Sequence, residues 1–281
     1  MQIIRTPAEM QDTALKLRAQ GKRIGFVPTM GFLHEGHCSL MRLARQHADV
    51  LVVSIFVNPT QFGPSEDFSK YPRDFSRDEE RCRGEKTDFI FHPAVADMYP
   101  PDSSVAVVEE KLSRGLCGAA RPGHFRGVCT VVSKLFNIIQ PNVAVFGEKD
   151  GQQLRVIERM VRDLDFPIRI IRGPTHREPD GLAMSSRNTY LSADERKQAL
   201  CLRRALDRAE ELYGQGERNS GRIVAAMGTV IGHSPAARID YIEVVDDSSL
   251  EAVGTIEKPC MVALAVYVGK TRLIDNTVLG R

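Results

Sequence analysis

The sequence predicts an α/β protein: a doubly wound parallel sheet followed by a smaller C-terminal α+β domain that contains a short antiparallel sheet. Three observations predict it. Short, nearly continuous apolar runs alternate with helix-spaced stretches through the first part of the chain. That alternation stops after Gly173-Pro174. Beyond it come helical stretches and then three strand-like runs, the last two joined by Gly269-Lys270.

The elements follow in order. The apolar run at 24–27 ends in a Gly-containing turn, and Leu40, Leu43, Ala44 and His47 then fall at helical spacing. Residues 51–57 are almost wholly apolar, as in a strand buried on both faces. A charged, helix-like stretch at 74–86 precedes the strand Phe89-Ile90-Phe91. Val128, Val131, Val132, Leu135, Phe136 and Ile139 make one apolar stripe on a long helix, which Pro141 stops. A strand at 143–146, a helix at 152–163 and a strand at 168–171 complete the βα series. Repeated βα units imply a Rossmann-like sheet, whose ligands bind beyond the carboxyl ends of its strands. His34, Gln61 and Lys149 each closely follow an apolar run, so all three are expected at that edge.

After a polar loop reaching Asn188, Ser192-Ala193-Asp194-Glu195 is a capping box for a helix running to Tyr213. A further helix is expected at 221–231, and strands at 239–245, 261–268 and 273–278. Domains are therefore placed at 1–175 and 176–281. Gly269-Lys270-Thr271 resembles the end of a phosphate-binding loop, but Leu264 stands where that loop needs its first glycine, so a hairpin turn is the better reading.

Composition excludes several classes. A chain of 281 residues with 42% apolar and 26% charged residues suits an ordinary globular protein. The net charge of +2, with both signs interspersed, argues against a broad nucleic-acid footprint. No apolar run reaches membrane-span length, and the first residues lack a signal-peptide layout, so a cytoplasmic protein is expected. Six cysteines without Cys-x-x-Cys spacing read as reduced, buried thiols. Cys38, beside His37, invites a nucleophile reading that the neighbouring histidines make unnecessary.

The most informative segment is Val27-Pro28-Thr29-Met30-Gly31-Phe32-Leu33-His34-Glu35-Gly36-His37. It places two histidines where a helix begins. Unpaired N–H groups and the positive dipole end make such a point an anion site, and two imidazoles there could grip a polyphosphate. A helix-capping pair without ligand, or a metal site, are the other readings of the same residues. No cysteine or carboxylate in the sequence clearly completes a zinc set.

The tetrad resembles the His-x-Gly-His signature of nucleotidyltransferases and class I aminoacyl-tRNA synthetases. The longer string Pro28 to His37, together with Phe56-Val57-Asn58-Pro59-Thr60-Gln61-Phe62 and Gly147-Glu148-Lys149-Asp150, is similar to the pantothenate synthetase family, the ATP-dependent pantoate–β-alanine ligases. The resemblance covers nearly the whole chain. It implies ATP and magnesium, pantoate and β-alanine, a pantoyl-adenylate intermediate, and a homodimer. It makes the C-terminal domain a lid.

By that resemblance Met30, Gly31, Phe32, Leu33, His34, Glu35, Gly36, His37, Gly147, Glu148, Lys149, Asp150, His176, Met184, Ser185, Ser186 and Arg187 bind ATP. His37, His34, Lys149 and Arg187 are the catalytic candidates. Lys149 would act on a phosphate as a point charge, and Asp150 on the ribose hydroxyls. Met184-Ser185-Ser186-Arg187 corresponds to the superfamily's mobile phosphate-binding loop. Gln61 and Gln153 would hold pantoate, with Asn58 framing that pocket. Arg121 has a family counterpart near the phosphates, and Asp78 would order magnesium through water. Phe32 and His176 depart from the residue types common at their positions. A related nucleotidyltransferase with another acceptor should share the tetrad but lack the two glutamines. A non-catalytic nucleotide-binding module should bind ATP without releasing pyrophosphate. The strand-like residues 104–109 are a candidate dimer contact.

Overall fold

The computed structural model describes residues 1–64 and 66–281. Along the chain the elements are β1 (Gln2–Ile4), α1 (Pro7–Ala19), β2 (Ile24–Thr29), α2 (Glu35–Arg45), β3 (Val50–Ile55), α3 (Phe75–Gly84), β4 (Phe89–Phe91) and the short α4 (Val95–Met98). Then come α5 (Leu116–Ala120), α6 (His124–Ile139), β5 (Val143–Gly147), α7 (Gly151–Asp163) and β6 (Arg169–Gly173). The remainder is α8 (Ala193–Gln198), α9 (Cys201–Gly214), α10 (Ser220–Gly232), β7 (Ala237–Asp246), β8 (Cys260–Val268) and β9 (Thr271–Leu279). Two compact units result. One comprises Met1–Glu109, Arg121–Glu148 and Val156–Pro174; the other Glu110–Ala120, Lys149–Arg155 and Thr175–Arg281.

The first unit is built on a six-stranded parallel sheet in the order β1-β4-β3-β2-β5-β6. The expected parallel sheet is thus present. Every residue of β3 is buried, which is why its sequence is a continuous apolar run rather than an alternating one. The chain winds outward from β2 through β3 and β4, then returns to β2's other side with β5. The order of strands reverses between β2 and β5, the usual place for a ligand crevice in open sheets. Gly25 allows α2 to lie close on β2, since a Cβ there would stand 2.8 Å from Ala48 Cβ and 3.2 Å from the Ala44 carbonyl. The apolar stripe of α6 is buried as its spacing requires. That helix ends in left-handed Gln140, followed by Pro141.

The second unit contains the antiparallel sheet β7-β8-β9, with α9 and α10 packed on one face around Leu206, Ile223, Met227, Val262 and Leu264. Gly269, at φ +59°, makes the two-residue turn from β8 to β9, so the phosphate-loop resemblance ends in a hairpin. The capping box forms: Ser192 N donates to Glu195 Oε2 (2.8 Å) and Glu195 N to Ser192 Oγ (3.3 Å).

Two expectations fail. The single helix from 192 to 213 is two helices, α8 and α9. Ala199, Cys201 and Leu202, where the two helices meet, are all buried. A tight turn with Leu202 N bonded to the Ala199 carbonyl (3.2 Å) separates α8 from α9. Residues 104–109 form no strand. Val105 is 87% exposed, and Val107 N donates to the Thr130 hydroxyl (3.0 Å) instead of to a neighbouring strand. All six cysteines are free and buried. No helix among the described residues is long and apolar enough to cross a membrane.

Asp246 closes the loop after β7. Its carboxylate takes Lys258 Nζ (2.7 Å), the Ser248 hydroxyl (2.7 Å) and the Ser248 and Ser249 N–H groups (3.0 and 2.7 Å). The Lys258 hydrogen bond and then these donors hold its pKa well below the usual carboxylate range. A carboxyl with a depressed folded-state pKa stabilises above its unfolded value, about 3.9, and loses that contribution as pH falls through the folded one. Asp246→Asn should therefore lower the urea midpoint at pH 7, and the gap from the parent should close as pH is taken below about 4. A gap that is the same at pH 7 and pH 3 would assign the loss to packing rather than to charge.

Candidate active site

The strand-to-helix junction after β2 is held from outside its own segment. Gly31 (φ +82°) and Phe32 (φ 50°) both turn left-handed, taking the chain out of the sheet. Only glycine fits the first position: a Cβ there would stand 2.9 Å from Asp78 Oδ2 and 3.0 Å from Ile55 Cγ2. Phe32 N–H and Leu33 N–H then donate to Asp78 Oδ2 and Oδ1, at 2.8 and 2.6 Å. Asp78 itself is 1% exposed. Burial pushes its pKa up, against the pull of the Leu33 and Phe32 N–H groups. Expected to order a metal through water, Asp78 instead spends both oxygens on the turn that presents the tetrad. Phe32 is accounted for too, since the Arg77 guanidinium lies 4.5 Å from its ring centroid.

His34 is the N-cap of α2, and Glu35, Gly36 and His37 form its first turn, as the sequence predicts. The two imidazole centroids are 4.0 Å apart. His34 N–H donates to His37 Nδ1 (3.2 Å), so that nitrogen holds a lone pair. The proton of the neutral ring then sits on Nε2, which makes Nε2 the donor. Cys38 is buried, and burial raises its thiol pKa, which disfavours a thiolate. The one group of candidate metal ligands among the described residues is Glu35, Cys38 and Glu85, but Arg42 bridges both carboxylates and takes a cation's place. A cavity of about 560 Å³ lies at the far end of α2, where Arg42 and Arg45 are already paired with Glu85 and Asp88.

Asn58 caps, and Gln61 ends, a one-turn 3-10 segment, Pro59–Gln61, after β3. Asn58 is 1% exposed and fully occupied. Its Nδ2 donates to Gln61 Oε1 (3.1 Å) and the Gly127 carbonyl (3.2 Å), while Oδ1 accepts from Tyr99 Oη (2.8 Å) and Thr60 Oγ1 (3.0 Å). It frames Gln61 rather than reaching outward. Gln61 Nε2 lies 3.2 Å from Met30 Sδ, a weak acceptor that a ligand oxygen would outcompete. Arg121 is committed to Glu66, His124 and the Gln61 carbonyl.

The remaining candidates split at Glu148. Gly147 ends β5 and Glu148 follows it in the first unit, while Lys149, Asp150 and Gln153 group with the second. Lys149 Nζ lies 3.3 Å from Asp150 Oδ1, and Asn276 Nδ2 donates to the Lys149 carbonyl (2.8 Å). Gly151 abuts Met261 and Asn276, leaving no room for a Cβ. Gln153 is half-buried on α7, next to Gln152, whose amide is wholly used on residues 112, 115 and 117.

Met184 to Arg187 is a supported loop. Met184 N donates to the His176 carbonyl (3.0 Å) and Ser185 Oγ accepts Arg187 N–H (3.3 Å). Asn188 donates to Glu178 Oε1 (3.0 Å), close to the strand-like pair Arg177 and Ala183. His176 joins this loop through its backbone, so its unusual side chain leaves the loop intact. Sequence reading missed Asp78's true partners, Asn276, His124 and Gly127. Asp78→Ala would leave the Phe32 and Leu33 N–H groups without acceptors and should cost roughly 2–6 kcal/mol in urea unfolding, at about 1–3 kcal/mol per orphaned group. A loss under about 0.5 kcal/mol would mean that water or another group takes over.

The comparisons with known proteins point one way. The family model described as pantoate–β-alanine ligase matches residues 2–278. A curated pantothenate synthetase from Thermotoga neapolitana is 57% identical over 280 residues, covering all of both chains. One from Syntrophus aciditrophicus is 52% identical, covering 100% of this chain and 98% of its own. The crystal structure of pantothenate synthetase from Thermus thermophilus superposes with a TM-score of 0.93 at 43% identity, over 99% of each chain. The Francisella tularensis pantoate–β-alanine ligase, solved in complex with β,γ-ATP and β-alanine, gives 0.83 at 34% identity, over 99% of this chain and 97% of that one. This chain belongs to the pantoate–β-alanine ligase family and is an enzyme of that family.

Proposed function

We propose that the enzyme condenses pantoate with β-alanine in two half-reactions through pantoyl adenylate. A pantoate carboxylate oxygen attacks the α-phosphorus of ATP; the bond to the bridging oxygen breaks and pyrophosphate leaves. The β-alanine amine then attacks the acyl carbon, the bond to the AMP oxygen breaks, and a proton leaves the new amide nitrogen. The difficulty in the first step is an anion attacking a polyanion. Donors must stand ready where charge gathers.

The observation that carries this reading is the His37 tautomer. With Nδ1 accepting from His34 N–H, Nε2 is left as a donor at the N-terminus of α2. We assign His37 and His34, with the first N–H groups of α2, to phosphate oxygens. Met30 to Leu33 and Glu35-Gly36 shape that turn. Gly147, Glu148 and His176 complete the nucleotide set. Lys149 supplies a point charge, Arg187 a planar fork, and Ser185 and Ser186 hydroxyl donors. Asp150 takes ribose hydroxyls. Gln61 and Gln153 hold pantoate, with Asn58 fixing Gln61. Magnesium, brought with the nucleotide, would lower the charge of the triphosphate. With Asp78 committed to the turn, no step is routed through a protein-held metal. A cytoplasmic homodimer in pantothenate biosynthesis, without nucleic-acid or membrane partners, fits the family.

The test is exchange of labelled pyrophosphate into ATP with magnesium present and β-alanine absent. Exchange should require pantoate. ATP binding without exchange would favour another acceptor or a silent module. His37→Ala should lower kcat by roughly 10²–10³, as for one oxyanion-hole donor; an unchanged kcat would remove His37 from the chemistry. Gln61→Ala or Gln153→Ala should impair pantoate use far more than ATP use. Equal losses for both substrates would point to misfolding instead.

A further inference from the structure

The first turn of α6 lies directly on the turn that carries Gln61. Gly127 makes the approach possible, because a Cβ there would overlap the Thr60 carbonyl and stand 2.6 Å from Gln61 N. One turn earlier, His124 Nδ1 lies 2.9 Å from the Gln61 carbonyl oxygen. Its other nitrogen, Nε2, lies 3.0 Å from Arg121 Nη1. Arg121 also lies across Glu66, with Nε to Oε1 and Nη2 to Oε2 both at 2.7 Å. Burial pushes the Glu66 pKa up, but the Arg121 hydrogen bonds and charge outweigh it and hold the carboxyl below its ordinary value.

These contacts determine the imidazole's state. A guanidinium only donates, so Nε2 must accept. The ring is then neutral with its proton on Nδ1, and Nδ1–H donates to the Gln61 carbonyl. Glu66 holds Arg121, Arg121 selects the tautomer, and the tautomer anchors the Gln61 backbone. At the same residue, Asn58 Nδ2 anchors the side-chain oxygen. Gln61 is thus fixed at both ends, with its Nε2 on the weak Met30 thioether.

We infer that His124 and Arg121 are positioning residues for pantoate: they hold the Gln61 amide in the orientation that receives the substrate's oxygens, without touching it themselves. This rests on the role proposed above for Gln61. It differs from a phosphate-contacting role for Arg121, whose guanidinium nitrogens are all engaged in the network.

The experiment compares His124→Leu, which deletes the donor, with His124→Asn, whose amide nitrogen can replace Nδ1–H. The apparent KM for pantoate and for ATP are read by pyrophosphate exchange, and amide hydrogen exchange is followed over residues 60–62. His124→Leu should raise the pantoate KM about tenfold, the effect of one lost hydrogen bond, and leave the ATP KM within about twofold. Its 60–62 amides should exchange faster. His124→Asn should restore both readouts. Should the Leu variant not fold, Arg121→Met, which frees Nε2 of its donor, carries the same expectation. An unchanged pantoate KM, a parallel rise in both KM values, or no rescue by Asn would overturn the inference. Absence of pantoate-dependent exchange in the parent enzyme would instead remove the role of Gln61 in pantoate binding. Positioning is then decided by hydrogen exchange alone, and unchanged protection of 60–62 in His124→Leu overturns it.

Discussion

Asp78 stands on α3 with both carboxylate oxygens turned to the backbone of a distant segment, Phe32 at 2.8 Å and Leu33 at 2.6 Å. A parallel strand that stops pairing leaves N–H groups with neither ladder nor helix to satisfy them, and burial makes that costly. Here β2 ends at Thr29 and α2 starts at Glu35. The residues between must leave the sheet, turn left-handed twice and enter a helix. Asp78 accepts the two donors that this path would strand. Where α2 begins, and so where His34 and His37 stand, follows from that carboxylate.

The second unit solves a similar problem with an amide. Lys149 lies on a short 3-10 turn, and Asn276 on β9 holds its carbonyl. Gly151 then lets α7 start against Met261 on β8. In both units a flexible functional side chain stands on backbone pinned by a residue far away in sequence. Holding the backbone fixes the point from which the side chain extends, as preorganised catalysis requires.

Much of this was legible. Continuous apolar runs identified β3 and β5, because a strand covered on both faces has no polar side to show. The capping box at Ser192 and the hairpin at Gly269 followed from local chemistry. The tetrad was placed at a helix start, and the structure has it there. What escaped were features with no local signal. β1 is three residues long, and α1 buries only Met10 and Ala14, too few for a visible stripe. The alternation around Val105 reads as a strand, but residues 104–109 pair with no strand among the described residues, and period alone cannot supply a partner. Asp78, His124, Gly127 and Asn276 act on residues 45 to 127 positions away, so nothing beside them in the sequence marks their roles.

The choice of a neutral donor at His37 has a consequence for catalysis in the proposed reading. An imidazolium would attract the triphosphate strongly before reaction, when its charge is already high. Binding of that kind lowers the ground state along with the transition state and does not speed the chemical step. A proton on Nδ1 of His37 would face the His34 N–H, so the backbone favours the ring with Nδ1 unprotonated. A neutral Nε2–H gains most when charge shifts onto the oxygen it faces, which happens as the α-phosphorus is attacked. Steady attraction is then left to the cations Lys149 and Arg187. The division places ground-state binding on the cations and transition-state stabilisation on the histidine. On that division, loss of His37 falls mainly on kcat and loss of Lys149 mainly on nucleotide affinity.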